Sequence, residues 1–573
     1  MSTLNADTLE ATRQHIEAVY GDVPELLLDG IANLFENARL NKRGDSLWDE
    51  NDVVLITYAD QIRPDQTETG VSPLEAQRQF LVDHDLHEML RCVHLLPFCP
   101  STSDDGFSVA DYLAVDPESG TWDDIARMGV DFDLMYDLVL NHCSASHPWF
   151  RSFLEGDERY DDFITCGDPN ADLSDVVRPR SLPLLTEFDA HDGTRHVWTT
   201  FSADQVDLNY ANPRVMLKML ETLVEYAWRG ARIIRLDAIA FLWKEVGTSC
   251  LHLPQTHAAV QLMRHVLDHA APGTLVLTET NVPHEDNISY FGDGTDEAHM
   301  VYQFSLPPLL IDAVATGDTS ILRDWMASLR LPSEQTTYFN FTASHDGIGV
   351  RPAEGILPPD RIDALVQRVK SHGGDVNMRV HGDGSESPYE LNITYLDAVA
   401  DRRAVTPAEH SRRFLATQAV MLSMRGMPAV YFHSLVGSPS DTDAVVETGI
   451  KRRINRHKYT RDELDTALAG VDDLQRRVFD GYARLIRVRQ SQPAFHPNAS
   501  QTMLELPGDG LIGWTRQPHS GDPLTVLVNL SEEPRSVAPA QCSLPFSRDV
   551  LAEEMVSPDS EVPLRPFQVR WLV

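Results

Sequence analysis

The 573-residue chain carries 86 acidic against 48 basic side chains, a net charge of −38 at pH 7, and the acids are spread along it rather than gathered in a tail. A surface this negative repels nucleic acid and anionic membranes and suits high salt, where screening removes the self-repulsion. The length exceeds a single core and predicts two to four domains, and 42% hydrophobic residues with both charge signs exclude whole-chain disorder.

The first 45 or so residues carry helical periodicity, with Ile16, Val19, Tyr20, Leu26, Leu27 and Ile31 at three- and four-residue steps. The opening "MSTLNADTLEATRQHIEAVYG" has no basic stretch followed by an apolar core, and no run of about 18 apolar residues occurs anywhere, so a cytoplasmic protein is expected. Cys92, Cys99, Cys143, Cys166, Cys250 and Cys542 show no metal-ligand spacing, which predicts reduced, unpaired thiols.

Eight short apolar runs follow: 52–60, 91–98, 130–142, 231–238, 274–280, 300–306, 338–346 and 427–434. Helical patterns such as "RVMLKMLETLVEYAWRG" and "HAAVQLMRHVLDHA" lie between several of them. Eight strands with helical crossovers predict an α/β fold, a parallel (β/α)8 TIM barrel. Residues 1–143 are read as a helical extension and the start of the barrel. Residues 144–206, irregular and rich in Asp, Pro and Arg, read as a small domain inserted after strand three. The barrel resumes over 207–346, a second insertion spans 347–400, and the barrel ends over 401–497. The runs "LIGWTRQ", "PLTVLVNLS" and "FQVRWLV" predict a C-terminal antiparallel β domain over 498–573.

Within "GARIIRLDAIAF" (230–241), Arg235 and Asp237 share one face of an otherwise apolar strand, because side chains alternate. A single such pair is ordinarily structural. Strand three, however, also ends in charged or polar groups (Asp137, Asn141, His142), as do strand five (Glu279) and strand seven (His345, Asp346). In such barrels, residues at the C-terminal strand ends converge on the active site. The constellation suits glycosyl transfer with retention, which needs a nucleophilic carboxylate and a second carboxyl about 5 to 5.5 Å away as acid/base. Asp237 fits the nucleophile, with Arg235 expected to lower its pKa and keep it ionised. Glu279, without an adjacent cation, fits the acid/base, burial raising its pKa. Asp346 is placed to hold sugar hydroxyls and favour the transition state.

"DLVLNH" (137–142), "QVDLN" (205–209), "RIIRLDA" (232–238), "TETN" (278–281) and "ASHD" (343–346) resemble the ordered conserved regions of the α-amylase family of glycoside hydrolases. Within it, "KEVGTSC" (244–250), "FSLPPLL" (304–310), "SHDGIGV" (344–350) and "RRINRHKY" (452–459) are similar to the sucrose phosphorylase branch. "WDENDVVLITYADQ" (48–61), "SDDGFSVADY" (103–112), "RPRSLPLLT" (178–186), "LTETNVPHEDNISYFG" (277–292) and "SPYELNITYLDA" (387–398) are most like the glucosylglycerate phosphorylases of that branch.

The resemblance implies Asp237 as nucleophile, Glu279 as acid/base and Asp346 as transition-state stabiliser. It implies that His142 and His345 bond glucose hydroxyls, that Asp105 and Arg452 pair to close the far end of the glucose pocket, and that Phe107 is an apolar wall. Arg180 or Arg178, from the inserted domain, would reach phosphate. The implied reaction is reversible phosphorolysis of an α-glucoside, with inorganic phosphate and D-glycerate as partners. Arg351, Arg379 and His381, on or near the second insertion, are candidates for the glycerate carboxylate. No residue pattern separates glycerate from fructose or glycerol, or phosphorolysis from hydrolysis, so a sucrose or glucosylglycerol phosphorylase and a hydrolase with the same triad stay open. No nucleotide-binding glycine loop is present and no cofactor is expected. Some α-amylase relatives bind calcium near Asn141; here no metal is expected.

Overall fold

The computed structural model describes residues 5–39, 46–65, 69–179, 182–380, 385–470, 473–506 and 510–573. The eight expected strands form one closed parallel barrel: β1 (Val54–Thr57), β2 (Cys92–Leu95), β3 (Asp133–Val139), β4 (Ala231–Asp237), β5 (Leu275–Thr278), β6 (Met300–Tyr302), β7 (Thr337–Asn340) and β8 (Met427–Tyr431). Neighbours follow chain order and β8 closes on β1. All seven residues of β4 are buried, as a strand covered on both faces requires. Its two arginines serve opposite ends of the barrel. Arg232 pairs with Asp52 and with Asp133 (3.1 Å) at the N-terminal end, while Arg235 points to the C-terminal end.

Helices α1 (Ala6–Tyr20) and α2 (Glu25–Glu36) cover the outer layer of the barrel. Ile16 and Val19 of α1 are buried, each burial worth about 1.5 to 3 kcal/mol. Thr12 meets His265 (3.0 Å) on the barrel helix Pro254–Ala270, and Gly30 of α2 lies so close to Leu217 of Pro213–Trp228 that a Cβ there would sit 2.4 Å from its Cδ1.

Between β3 and β4 lies an antiparallel hairpin, Leu185–Ala190 with Gly193–Trp198. After β7, Ile348–Gly349, Glu386–Asn392 and Asp375–Val380 form a small antiparallel sheet standing over the C-terminal end of the barrel. The chain ends in a six-stranded antiparallel sheet that includes Leu511–Gln517, Leu524–Asn529 and Val569–Leu572. All six cysteines are free thiols, five of them buried. Among the described residues no helix is long and apolar enough to cross a membrane.

Candidate active site

Parallel register sets Asp137 of β3 beside Arg235 of β4, and Arg235 beside Leu277 of β5. Arg235 therefore bridges two carboxylates. Its Nη1 donates to Asp137 and, at 2.6 Å, to Asp237, while its Nη2 lies 3.9 Å from Glu279. His94 of β2 meets the other oxygen of Asp137 at 2.6 Å. Directly after Asp237 the chain turns through Ala238 at φ 51°, a left-handed conformation that alanine rarely adopts. The turn aims the Ala238 N–H at Glu279 Oε2, 3.0 Å away, and so holds the second carboxyl beside the first.

The three carboxyls titrate differently because Arg235 is not theirs equally. Burial opposes ionisation of Asp137, but Arg235 and His94 together hold it down to about 2. Asp237 is pushed up to about 8 by burial, against the pull of Arg235 and reinforced by Glu279 and Asp137. Glu279 is raised by burial, which outweighs the more distant Arg235. Arg235 thus lowers Asp237 as expected but does not set the net direction: the guanidinium is shared with Asp137, and burial outweighs its pull. Asp237 and Glu279 behave as a pair sharing one proton. The hydrogen bond from Arg235 favours the charge on Asp237 and leaves the proton to Glu279.

At the end of β7, His345 stacks on Phe107 (centroids 4.6 Å, planes 9° apart). Burial, with Arg456 and Arg235 close by, holds His345 neutral. His142 is also lowered by burial, and its Nε2 lies 2.9 Å from the Phe107 carbonyl oxygen. Asp346 lies 2.6 Å from Arg452 Nη1.

The expected pairing of Asp105 with Arg452 is not formed. Asp105 takes Arg453 and Arg456, both at 2.6 Å, and Arg452 takes Asp346 and Glu390. Arg453 lies in the 3₁₀ turn Lys451–Asn455 and Arg456 directly after it, and from there both reach Asp105, while Arg452 turns to Asp346 and Glu390.

Asp237, Glu279, Asp346, His142, His345, Phe107, Arg235 and Arg452 line one pocket. Asp104, Phe201, Gln205, Ala238, Asn281 and Tyr389 complete it, and none of these is among the residues expected from the sequence. Asp104, Gln205, Asn281 and Tyr389 fall in stretches already singled out, so position within those stretches was the available signal.

Of the cations expected to meet phosphate or an acidic acceptor, Arg178, Arg351 and Arg379 lie outside this lining. Arg178 donates to the Leu182 carbonyl (3.4 Å) and lines a second cleft together with Arg379. Arg351 is partly buried among Arg379, Tyr389, Glu354 and Asp286, and its Nε has no hydrogen-bond partner among the described residues. Close by, His252 binds Tyr290 through Nδ1 (2.9 Å) and leaves Nε2 buried without one. Arg180 and His381 lie outside the described residues. Near the inserted domain, where relatives were expected to offer a calcium site, the Lys244 ammonium donates to Asn141 Oδ1 (2.6 Å) and pairs with Asp207 (2.9 Å). An internal cation thus occupies the Asn141 oxygen.

The family described as "Alpha amylase, catalytic domain" matches residues 87–346. The chain is 50% identical over 506 residues to a glucosylglycerate phosphorylase of Allomeiothermus silvanus, covering 88% of this chain and 90% of the relative. It is 43% identical to a glucosylglycerate phosphorylase of Escherichia coli, covering 97% of this chain and 99% of the relative. Among solved structures, sucrose 6F-phosphate phosphorylase from Thermoanaerobacter thermosaccharolyticum superposes with a TM-score of 0.72 at 25% identity, covering 84% of this chain and 94% of that one.

Proposed function

This chain belongs to the α-amylase family, and on that premise we propose that it catalyses the reversible phosphorolysis of 2-O-α-glucosyl-D-glycerate to α-glucose 1-phosphate and D-glycerate, with retention. The observation that carries this reading is 43% to 50% identity, over 88% to 97% of the chain, to enzymes of that name.

The geometry supplies a mechanism. Glu279 gives its proton to the glycosidic oxygen while Asp237 attacks C1 from the opposite face, so that the C1–O bond breaks, D-glycerate leaves and a β-glucosyl-enzyme ester forms. Phosphate then attacks C1, Glu279 takes its proton, the ester bond to Asp237 breaks and α-glucose 1-phosphate departs. Two inversions give retention. Positive charge that develops on the ring is balanced by Asp346, while His142, His345 and Arg452 take the glucosyl hydroxyls. Asp105, held by Arg453 and Arg456, closes the pocket together with Arg452 rather than by pairing to it.

Phosphate and glycerate must bring anions into a protein of net charge −38. Arg351 and Arg379 repel one another, and an anion between them relieves that repulsion. Arg178 and Arg379 line one cleft, and Arg351 adjoins both Arg379 and the pocket residue Tyr389, so these cations run from the inserted domain toward the pocket. A cytoplasmic location suits the six unpaired thiols.

The test runs the reaction in synthesis, with α-glucose 1-phosphate and D-glycerate, D-fructose, glycerol or no acceptor, following phosphate release. Release that depends on D-glycerate is expected. Preference for fructose or glycerol moves the acceptor within the branch, and equal release without acceptor means hydrolysis and overturns the reading.

A further inference from the structure

We propose that Glu390, on the strand Glu386–Asn392 of the second insertion, is a positioning residue for the glucosyl side of the pocket: it holds Arg452 against Asp346 and ties that subsite to the acceptor-side sheet. The inference rests on the phosphorolysis reading above.

Glu390 is 1% exposed, and its carboxylate accepts four hydrogen bonds. Arg452 donates through Nη2 to Oε1 (2.9 Å) and through Nε to Oε2 (3.2 Å). The Gly347 N–H donates to Oε1 (2.8 Å) and Asn377 Nδ2 to Oε2 (2.9 Å). A carboxylate offers about four acceptor directions, so Glu390 is saturated and has none left for a substrate. What it can do, it does through its donors.

Two of those donors lead to Asp346. Arg452 Nη1 forms an ion pair with Asp346 Oδ1 (2.6 Å), and Gly347 is the next residue in the chain. The approach at Gly347 requires glycine, because a Cβ there would lie 2.5 Å from Glu390 Cγ and 2.7 Å from the Leu391 carbonyl oxygen. Asp346, Arg452, Glu390 and Gly347 therefore form a closed ring of two side-chain links and two backbone links. The neighbouring residue Tyr389 lines the pocket and accepts at its carbonyl from the Val350 N–H (3.1 Å), while Arg379 pairs across the sheet with Ser387. Without Glu390, a long arginine side chain on a short turn has no fixed direction, and both the hydroxyl contacts and the field at Asp346 vary. A buried guanidinium that loses its carboxylate is also costly to leave unpaired.

The test reads the donor side by itself. The first turnover of α-D-glucosyl fluoride, followed as fluoride released per active site, reports glucosyl-enzyme formation whatever the acceptor. Glu390→Ala is expected to lower its rate constant per molar donor about 100-fold, the scale of a misplaced binding group, and to leave KM for D-glycerate within about 3-fold. Arg452→Ala alone should lose a similar factor, and the double variant should be no worse than Arg452→Ala, since residues in one network are not additive. Glu390→Gln keeps an oxygen for Gly347 and Arg452 Nη2 but turns an NH2 toward Asn377 and Arg452 Nε, so it should retain about a tenth of the wild-type rate. Losses that multiply in the double variant, a loss confined to KM for D-glycerate, or wild-type fluoride release in Glu390→Gln each overturn the proposal. If Glu390→Ala does not fold, the same cycle with Glu390→Gln, checked by its melting temperature, decides. A wild-type enzyme that releases fluoride yet passes the glucosyl group only to water, with or without D-glycerate, D-fructose or glycerol, defeats the phosphorolysis reading and leaves the Glu390 test standing.

Discussion

Arg235 illustrates what one side chain settles among its neighbours. Shared between Asp137 and Asp237, it leaves the buried Asp237–Glu279 pair holding a proton. Since catalysis needs one proton on the pair, kcat/KM for α-glucose 1-phosphate should fall as pH rises through about 8, where that proton is lost. A flat profile to pH 9.5, roughly a pK unit and a half higher, would refute the shared proton. Stability follows the same sign. Burial raises the folded Asp237–Glu279 pair above the ordinary carboxyl range, so the stability its shared proton contributes is complete at low pH and is lost as pH climbs through about 8. Asp237→Asn should therefore abolish turnover and raise the melting temperature at pH 8 relative to wild type, with a smaller difference at pH 5. An equal or lower melting temperature at pH 8 would show that burial does not dominate there. The Arg235–Asp237 pairing was legible from alternation along one strand, whereas Asp137 as competitor for Arg235 was not, since strand register lies between segments 98 residues apart.

At the scale of elements, the C-terminal strand ends and the turns after them do the positioning. Ala238, at φ 51°, bends the chain so that its N–H reaches Glu279. Ala238→Val adds a β-branched side chain in the left-handed region and should cost about 1 to 2 kcal/mol, lowering the melting temperature and kcat together. Ala238→Gly relieves the strain and should melt no lower than wild type. Equal losses in the two variants would mean that packing, not backbone conformation, decides at this position. All eight barrel strands were readable as apolar runs, because a strand buried on both faces leaves a continuous apolar signature. The partner exchange among Asp105, Arg452, Arg453 and Arg456 was not readable, because it depends on how a 3₁₀ turn and the residue after it direct three arginines of one short stretch in space. Glu390 stood in a stretch already singled out, yet its partner Arg452 is 62 residues away, and only the fold brings a buried strand carboxylate to that turn.

The whole molecule is dominated by its charge of −38. Such a field repels itself and any anionic substrate, so added salt should act in two ways. Between about 0.05 and 0.5 M NaCl the Debye length shrinks from roughly 14 to 4 Å. The melting temperature should rise, and kcat/KM for α-glucose 1-phosphate should rise as well, opposite in sign to enzymes that attract their substrates. A fall in kcat/KM over that range would mean that the local cations Arg178, Arg351 and Arg379 outweigh the global charge at the entrance. By itself the sequence determined the barrel, the family and the carboxylates at the strand ends, because these follow from periodicities of two and 3.6 and from short contiguous motifs. Only the tertiary structure decided which cation serves which carboxylate, where the shared proton sits and which residue holds Arg452 in place. Charge interactions fall off over a few ångströms and depend on burial, so they are set by neighbours in space that the linear order of residues does not specify.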